Sequence, residues 1–263
     1  MALTIGHTDY APVPHTQPTQ YIQKTSTATL LSQIARVNTP LLSTLQLSHQ
    51  HSLPIPLQPN ISLDRLADLG ARDPDIAWPV FQALWAELTT PATEAAPRPP
   101  IMMAIDNLSH AMTTTAYKSP DFEPIHAHDL ALIKHWTAHL SGAASLPNGG
   151  LVLAAVSGSN SPKVPSLDLA LARLEAQSLG AEVPTGDPFT AYDQRVLESV
   201  RGVQVQRVRG LTREEARGLI EYYAKSGLVR QTVSEGLVGE KWTLAGGGVV
   251  GELERAVVGI GGF

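Results

Sequence analysis

Five apolar residues closed by an acid, Ile101-Met102-Met103-Ala104-Ile105-Asp106, constrain the fold of this chain more than any other stretch. Pro99 and Pro100 precede the run, and a helix-like stretch follows it. An apolar run without alternation reads as a strand buried on both faces, as in a parallel sheet. A second run of the same kind, Leu151-Val152-Leu153-Ala154-Ala155-Val156, follows the turn signal Pro147-Asn148-Gly149-Gly150. The expected class is α/β.

Open α/β sheets bind ligands at the carboxyl ends of their strands, which is where Asp106 stands. The pattern has the shape of a Walker B segment, whose Asp holds Mg²⁺ through water in nucleotide-binding proteins. The plainer reading is an acid that ends a strand or caps the next helix. The second strand runs into Ser157-Gly158-Ser159-Asn160-Ser161. Ser157 is placed to be the polar residue that senses a γ-phosphate beside Walker B, or simply one of the turn formers of a βα loop. No Gly-x-x-x-x-Gly-Lys-Ser/Thr occurs in the sequence. The backbone nest and lysine that cradle phosphates are therefore missing, and with them the usual route to NTP hydrolysis.

Composition narrows the remaining classes. A hydrophobic content of 43% over 263 residues supports a real core, in one large domain or one with a small appendage. A net charge of −5 argues against broad non-specific binding to nucleic acid, DNA included. With no cysteine there is no disulfide framework, thiolate metal site or thiol nucleophile. No apolar run reaches the roughly 18 residues that would span a bilayer. Residues 1–23 carry no arginine and match neither a signal nor a transit peptide.

Along the chain, Pro12, Pro14 and Pro18 predict an extended segment over residues 1–24. Apolar spacing from Leu30 to Leu45 predicts a helix that Pro40 should kink or split. Ser62 should cap a short helix ending at Gly70, and Asp73-Pro74 should open one carrying Trp78, Phe81 and Trp85 as core. Tyr117 to Phe122 reads as a turn and Ala127 to Leu140 as a helix whose start His126 ties down. Ser166 should cap a helix ending near Gly180, and Phe189 to Val200 should be helical. Val203 to Val208 alternates and predicts an exposed strand. Thr212 and Glu215 form a capping box, and Gly227 stops their helix. Two short helices are expected around Gly246-Gly247-Gly248.

Other constellations carry less chemistry. His126, His128 and Asp129 suggest a metal hydrolase only remotely, and His135 and His139 lack the Glu of the zinc-protease motif. Structural or surface histidines are the alternative. Arg195, Arg201, Arg207, Arg209, Arg213 and Arg217 are interleaved with acids, a pattern that fits a solvated face or an RNA-phosphate contact surface.

With those residues in view, the chain resembles the death-associated protein 3 family and its fungal members in the mitochondrial small ribosomal subunit. Pro99 to His110 is similar to the family's Walker B segment. Ala116 to Leu130 is the most specific stretch, and Pro147 to Gly150, Thr212 to Arg217 and Glu240 to Leu253 also fit. The resemblance implies a P-loop NTPase scaffold of the AAA+ type, with a parallel sheet and flanking helices, incomplete at its N-terminus. It implies an extended segment over 1–24, a partial α/β domain over 25–209 and a C-terminal helical, lid-like region over 210–263. A structural, non-enzymatic role in the mitochondrial ribosome follows, with small-subunit ribosomal proteins and rRNA as partners and no membrane. The other function it leaves open is an extraribosomal guanine-nucleotide switch or NTPase. By resemblance Asp106, Asn107 and Ser157 would meet GTP or GDP, with Asp106 on the Mg²⁺ side. Asn107 stands where an active AAA+ ATPase carries its water-activating Glu. The P-loop of the family would lie before the region that Met1 matches. A parallel sheet short of that strand is expected to show an unpaired edge and apolar surface.

Overall fold

The computed structural model describes residues 10–12, 19–58, 60–94, 96–157 and 161–259. It is a mixed α/β structure in two compact units, residues 1–156 with 162–204, and residues 157–161 with 205–263.

The first unit begins with a short antiparallel pair, Tyr10–Pro12 (β1) and Tyr21–Gln23 (β2). The extended segment expected over residues 1–24 is thus partly a hairpin, while residues 1–9 and 13–18 lie outside the described ones. Three helices follow: Lys24–Leu42 (α1), Leu63–Arg72 (α2) and Ala77–Thr89 (α3). Their apolar stripes meet in a core in which Leu31, Leu63, Leu66, Val80 and Leu84 are almost fully buried. Each such side chain contributes about 1.5–3 kcal/mol.

Pro40 neither splits nor ends α1. It stands in the last turn, where the carbonyl of Arg36 loses its amide donor. The Thr39 hydroxyl, which donates to Ala35 O at 2.6 Å, also reaches Arg36 O at 3.3 Å. Nor does α2 end at Gly70. A Cβ there would lie 2.6 Å from Leu31 Cδ1 and 2.8 Å from Val80 Cβ, so the bare glycine lets three helices close together. Ser62 precedes α2 with no side-chain capping bond.

Ile101–Ile105 (β3) and Gly150–Ala154 (β6) pair in parallel, Ile101 opposite Gly150 and Ile105 opposite Ala154. Between them lie Leu108–Ala111 (α4), the hairpin Thr114–Lys118 (β4) with Pro124–His126 (β5), a 3₁₀ turn Ala127–Asp129, and Ala131–Leu140 (α5). The expected turn over 117–122 is the tip of that hairpin. Pro165–Leu179 (α6) and Gln194–Ser199 (α7) complete the unit.

Burial of both strands on both faces, expected from their apolar runs, is not observed. Met103, Ile105 and Val152 pack on a core of Leu108, Met112, Trp136, Val164, Leu167, Val196 and Val200. Met102 is 71% exposed, Leu151 51% and Leu153 45%, and no core cluster among the described residues takes them in. The sheet is also small: β3 and β6 have only each other as strand neighbours among the described residues.

Three further expectations change for local reasons. Pro165, not Ser166, opens α6, and the Ser166 hydroxyl accepts the Asp193 amide at 2.8 Å. The helix expected over 189–200 is confined to α7, because Asp187 folds the preceding residues into a turn by accepting from Phe189 N and the Thr190 hydroxyl. Val203 to Val208 forms no strand; it has no partner strand among the described residues, and Val208 is 92% exposed.

The second unit holds Arg213–Lys225 (α8), Glu235–Leu244 (α9) and Val250–Val258 (α10) around Ala216, Ile220, Val238, Ala245 and Leu253. The capping box at the head of α8 is present in both directions. Trp242 Nε1 donates to Leu211 O at 2.7 Å, and Leu211 N donates to Gly248 O at 2.8 Å. Gly248 has a φ of +89°, and a Cβ on it would meet Leu211 O at 2.2 Å.

Candidate functional site

Asp106 leaves β3 exposed, with its Oδ1 accepting from the Asn107 amide at 2.8 Å. Asn107 turns the chain through the left-handed region, at φ 57° and ψ 52°, directly into α4. That turn is held by the sheet: Leu108 N donates to Ala155 O at 2.8 Å, and Ala155 N donates to Ile105 O at 2.9 Å. Asparagine tolerates this conformation better than most residues. Its Oδ1 is buried without a hydrogen-bond partner among the described residues. Among the described residues no Lys or Arg forms an ion pair with Asp106. Asp106 and Asn107 therefore stand together at the carboxyl end of a parallel strand. Ser157 groups with the other compact unit, where its carbonyl accepts from the Ser161 hydroxyl at 2.5 Å. Gly158, Ser159 and Asn160 of that loop lie outside the described residues.

The histidines serve other ends. His126 Nδ1 accepts the His128 amide at 3.1 Å, which ties down the 3₁₀ turn as expected. Its Nε2 is 3.7 Å from Asp193 Oδ2, and Arg195 bridges Asp193 at 2.8 Å and Asp129 at 3.4 Å. Burial, then the neighbouring charges of His126 and Arg195, pull the pKa of His128 down to about 4. His135 and His139 pack edge-on to Trp85, with ring centroids 4.7 and 5.0 Å away. Burial, then His139, takes His135 to about 4 as well. With values near 4, His128 and His135 are neutral at pH 7. Among the described residues no three His, Asp or Glu side chains converge to hold a metal ion.

The arginine-rich stretch is largely engaged within the chain. Arg195 pairs as above, Arg217 pairs with Glu235, and Arg213 lies over the Trp242 ring at 5.1 Å. No helix among the described residues is long and apolar enough to cross a membrane.

One polar centre escaped the sequence. Glu87, on the buried face of α3, accepts from Ser48 N, the Ser48 hydroxyl, His49 N, His51 Nε2 and Arg98 Nη2, at 2.5–3.0 Å. Burial alone would raise its pKa; the bonds from Ser48, His51 and His49 outweigh it and bring the carboxyl down to about 2. The available signal was an acid at helical spacing from Val80 and Leu84. A carboxylate on an apolar stripe needs buried donors.

Against known proteins, a model of the family described as mitochondrial ribosomal death-associated protein 3 matches residues 1–256. The chain is 45% identical over 257 residues to the small ribosomal subunit protein mS29 of Neurospora crassa, covering 97% of this chain and 54% of that protein. It is 28% identical over 147 residues to the protein of the same name from Schizosaccharomyces pombe, covering 56% of this chain and 28% of that one. The chain thus spans about half the length of the first of these relatives. A match running almost end to end, around a strand that carries Asp106 at its carboxyl end, means that the chain belongs to the mitochondrial ribosomal death-associated protein 3 family.

Proposed function

We propose that this chain is a structural component of the mitochondrial small ribosomal subunit and supports mitochondrial translation there. The observation that carries this reading is family membership across nearly the whole chain, with both relatives named as small ribosomal subunit proteins. The reading locates the chain in mitochondria and gives it small-subunit proteins and rRNA as partners. It also makes the parallel pair β3–β6 part of a P-loop NTPase scaffold related to AAA+ proteins.

A guanine nucleotide with Mg²⁺ fits the described residues only in part. The exposed Asp106 carboxylate suits the water shell of the ion, and the unpartnered Asn107 Oδ1 lies beside it. The sequence supplies no phosphate nest and no P-loop lysine. On this reading Asp106, Asn107 and Ser157 are the positions a nucleotide held by other residues would meet. The chain itself carries no hydrolytic step.

Sedimentation of a mitochondrial lysate through a sucrose gradient, with antibody detection, tests the proposal. Co-migration with the small subunit is expected, unchanged by Asp106→Ala. Protein confined to the top of the gradient would overturn it. GTP hydrolysis there that needs Mg²⁺ and is lost with Asp106→Ala would favour a switch outside the ribosome.

A further inference from the structure

An open concavity of about 400 Å³ lies between α6 and the end of α7. Ala170, Leu174, Leu197 and Val200 give it an apolar floor, backed by the core around Trp136 and Leu167. Arg173, Gln177 and Arg201 also line it, and no Asp or Glu does.

These two arginines differ from their neighbours in sequence. Arg195 and Arg217 are engaged by acids of the chain, and Arg213 by the Trp242 ring. Among the described residues neither Arg173 nor Arg201 forms an ion pair. Arg173 is half-buried, and its Nε donates to Pro184 O at 3.1 Å. That bond holds one edge of the guanidinium and leaves both Nη groups for an outside acceptor. A fork held in this way loses little further freedom when an anion arrives. Arg201 is exposed and carries the second full charge.

We propose that this concavity binds a nucleotide of single-stranded RNA, with phosphate oxygens on Arg173 and Arg201 and the base laid over Leu174 and Leu197. Two permanent charges beside one apolar floor match a ligand that joins repeated phosphates to flat rings. A lone carboxylate supplies neither the second charge nor the ring. Gln177 is exposed one turn beyond Arg173 on α6, and its amide can meet a base edge. The net charge of −5 draws RNA poorly to the chain as a whole, so contact depends on a local site of this kind. The proposal rests on the ribosomal reading only for naming the strand as rRNA.

The test titrates the full chain into a fluorescently labelled oligouridylate of about ten nucleotides, within the usual span of a single-strand site. Anisotropy is read at several salt concentrations. Saturable binding that weakens with salt is expected. Arg201→Gln should weaken it about tenfold and lower the salt slope by about one, with Tm unchanged. Arg173→Gln should do the same; should that variant fail to fold, the exposed Arg201 carries the test alone. Arg36→Gln removes an exposed charge from α1 and should leave binding as it was. The proposal is overturned by absence of binding at low salt, by binding indifferent to Arg201→Gln, or by an equal loss in Arg36→Gln. Displacement by uridine monophosphate at the concentration of the oligonucleotide would make a free nucleotide the ligand and overturn the RNA assignment. Equal displacement by polyglutamate of the same length would make it an acidic polypeptide and overturn the whole proposal. Sedimentation decides the ribosomal reading and this titration decides the site, so either can fail alone.

Discussion

Arg98 donates to Glu87 Oε2 at 2.9 Å with both side chains withdrawn from water, that of Arg98 4% exposed and that of Glu87 0%. The same Nη2 reaches Ser48 Oγ at 3.0 Å and Gln46 O at 3.3 Å. One carboxylate thus fastens the connector after α1 and the segment leading into β3 onto α3.

Removing one partner of such a pair leaves the other charge buried and uncompensated. Glu87→Ala should therefore cost about 3–5 kcal/mol, read as a shift in urea midpoint. Replacing both residues at once, Glu87→Leu with Arg98→Met, should recover most of that loss. A double variant as unstable as the single one would show that the connector depends on the carboxylate itself.

Acid should unfold the chain in two windows. His128 and His135 have folded pKa values near 4, below the ordinary 6.5. The unfolded chain then binds protons first, so their contribution is complete above about pH 6.5 and is lost as pH falls toward 4. Glu87 follows: its contribution is present above 4.5 and disappears as pH falls toward about 2. Denaturation midpoints measured across this range should lose the upper slope in a His128→Gln, His135→Gln double variant and keep the lower one.

Gly70→Ala improves helix propensity yet should destabilise. The added methyl meets Val80 Cβ as well as the end of Leu31, and a helix backbone must move to admit it. A loss of about 1–3 kcal/mol is expected from overpacking, against a propensity gain of about 1 kcal/mol. Calorimetry would report a lower Tm; an unchanged or higher Tm would mean that the α1–α2–α3 contact yields easily.

Thr212→Ala removes the side chain that accepts Glu215 N at 3.2 Å, and with it one half of the capping box. A cost of about 1 kcal/mol is expected, felt first as faster hydrogen exchange in the opening turn of α8. Amides of α1 should be unaffected.

What could be read from the sequence was local. The apolar runs at Ile101–Ile105 and Leu151–Val156 marked both strands, the second of which spans Gly150–Ala154, and the Thr212–Glu215 spacing marked a helix start. His126 announced its own turn. What could not be read depended on partners distant in the chain. Glu87 needed Ser48, His51 and Arg98 around it before its burial made sense. Pro40 needed the Thr39 hydroxyl to stand in for its missing amide. Val203 to Val208 has the alternation of a strand, but alternation is silent about whether a neighbour exists. The same blindness hid the bare face of the β3–β6 sheet. At the candidate site, the strand end at Asp106 was legible because it closes an apolar run. The left-handed turn at Asn107 was not, since it is fixed by the bond from Leu108 N to Ala155 O.

The pairing of Ile101 with Gly150 also has a kinetic side. It closes a loop that contains α4, the β4–β5 hairpin and α5, whereas α1, α2 and α3 meet across the shorter connections 43–62 and 73–76. Loop closure opposes distant contacts until enough of them form together. The three-helix core should accordingly assemble early and the parallel ladder late. A nascent chain emerging from its synthesis would bury Leu31, Leu63 and Val80 before Gly150 has been made, and would carry β3 as a waiting strand in the interval.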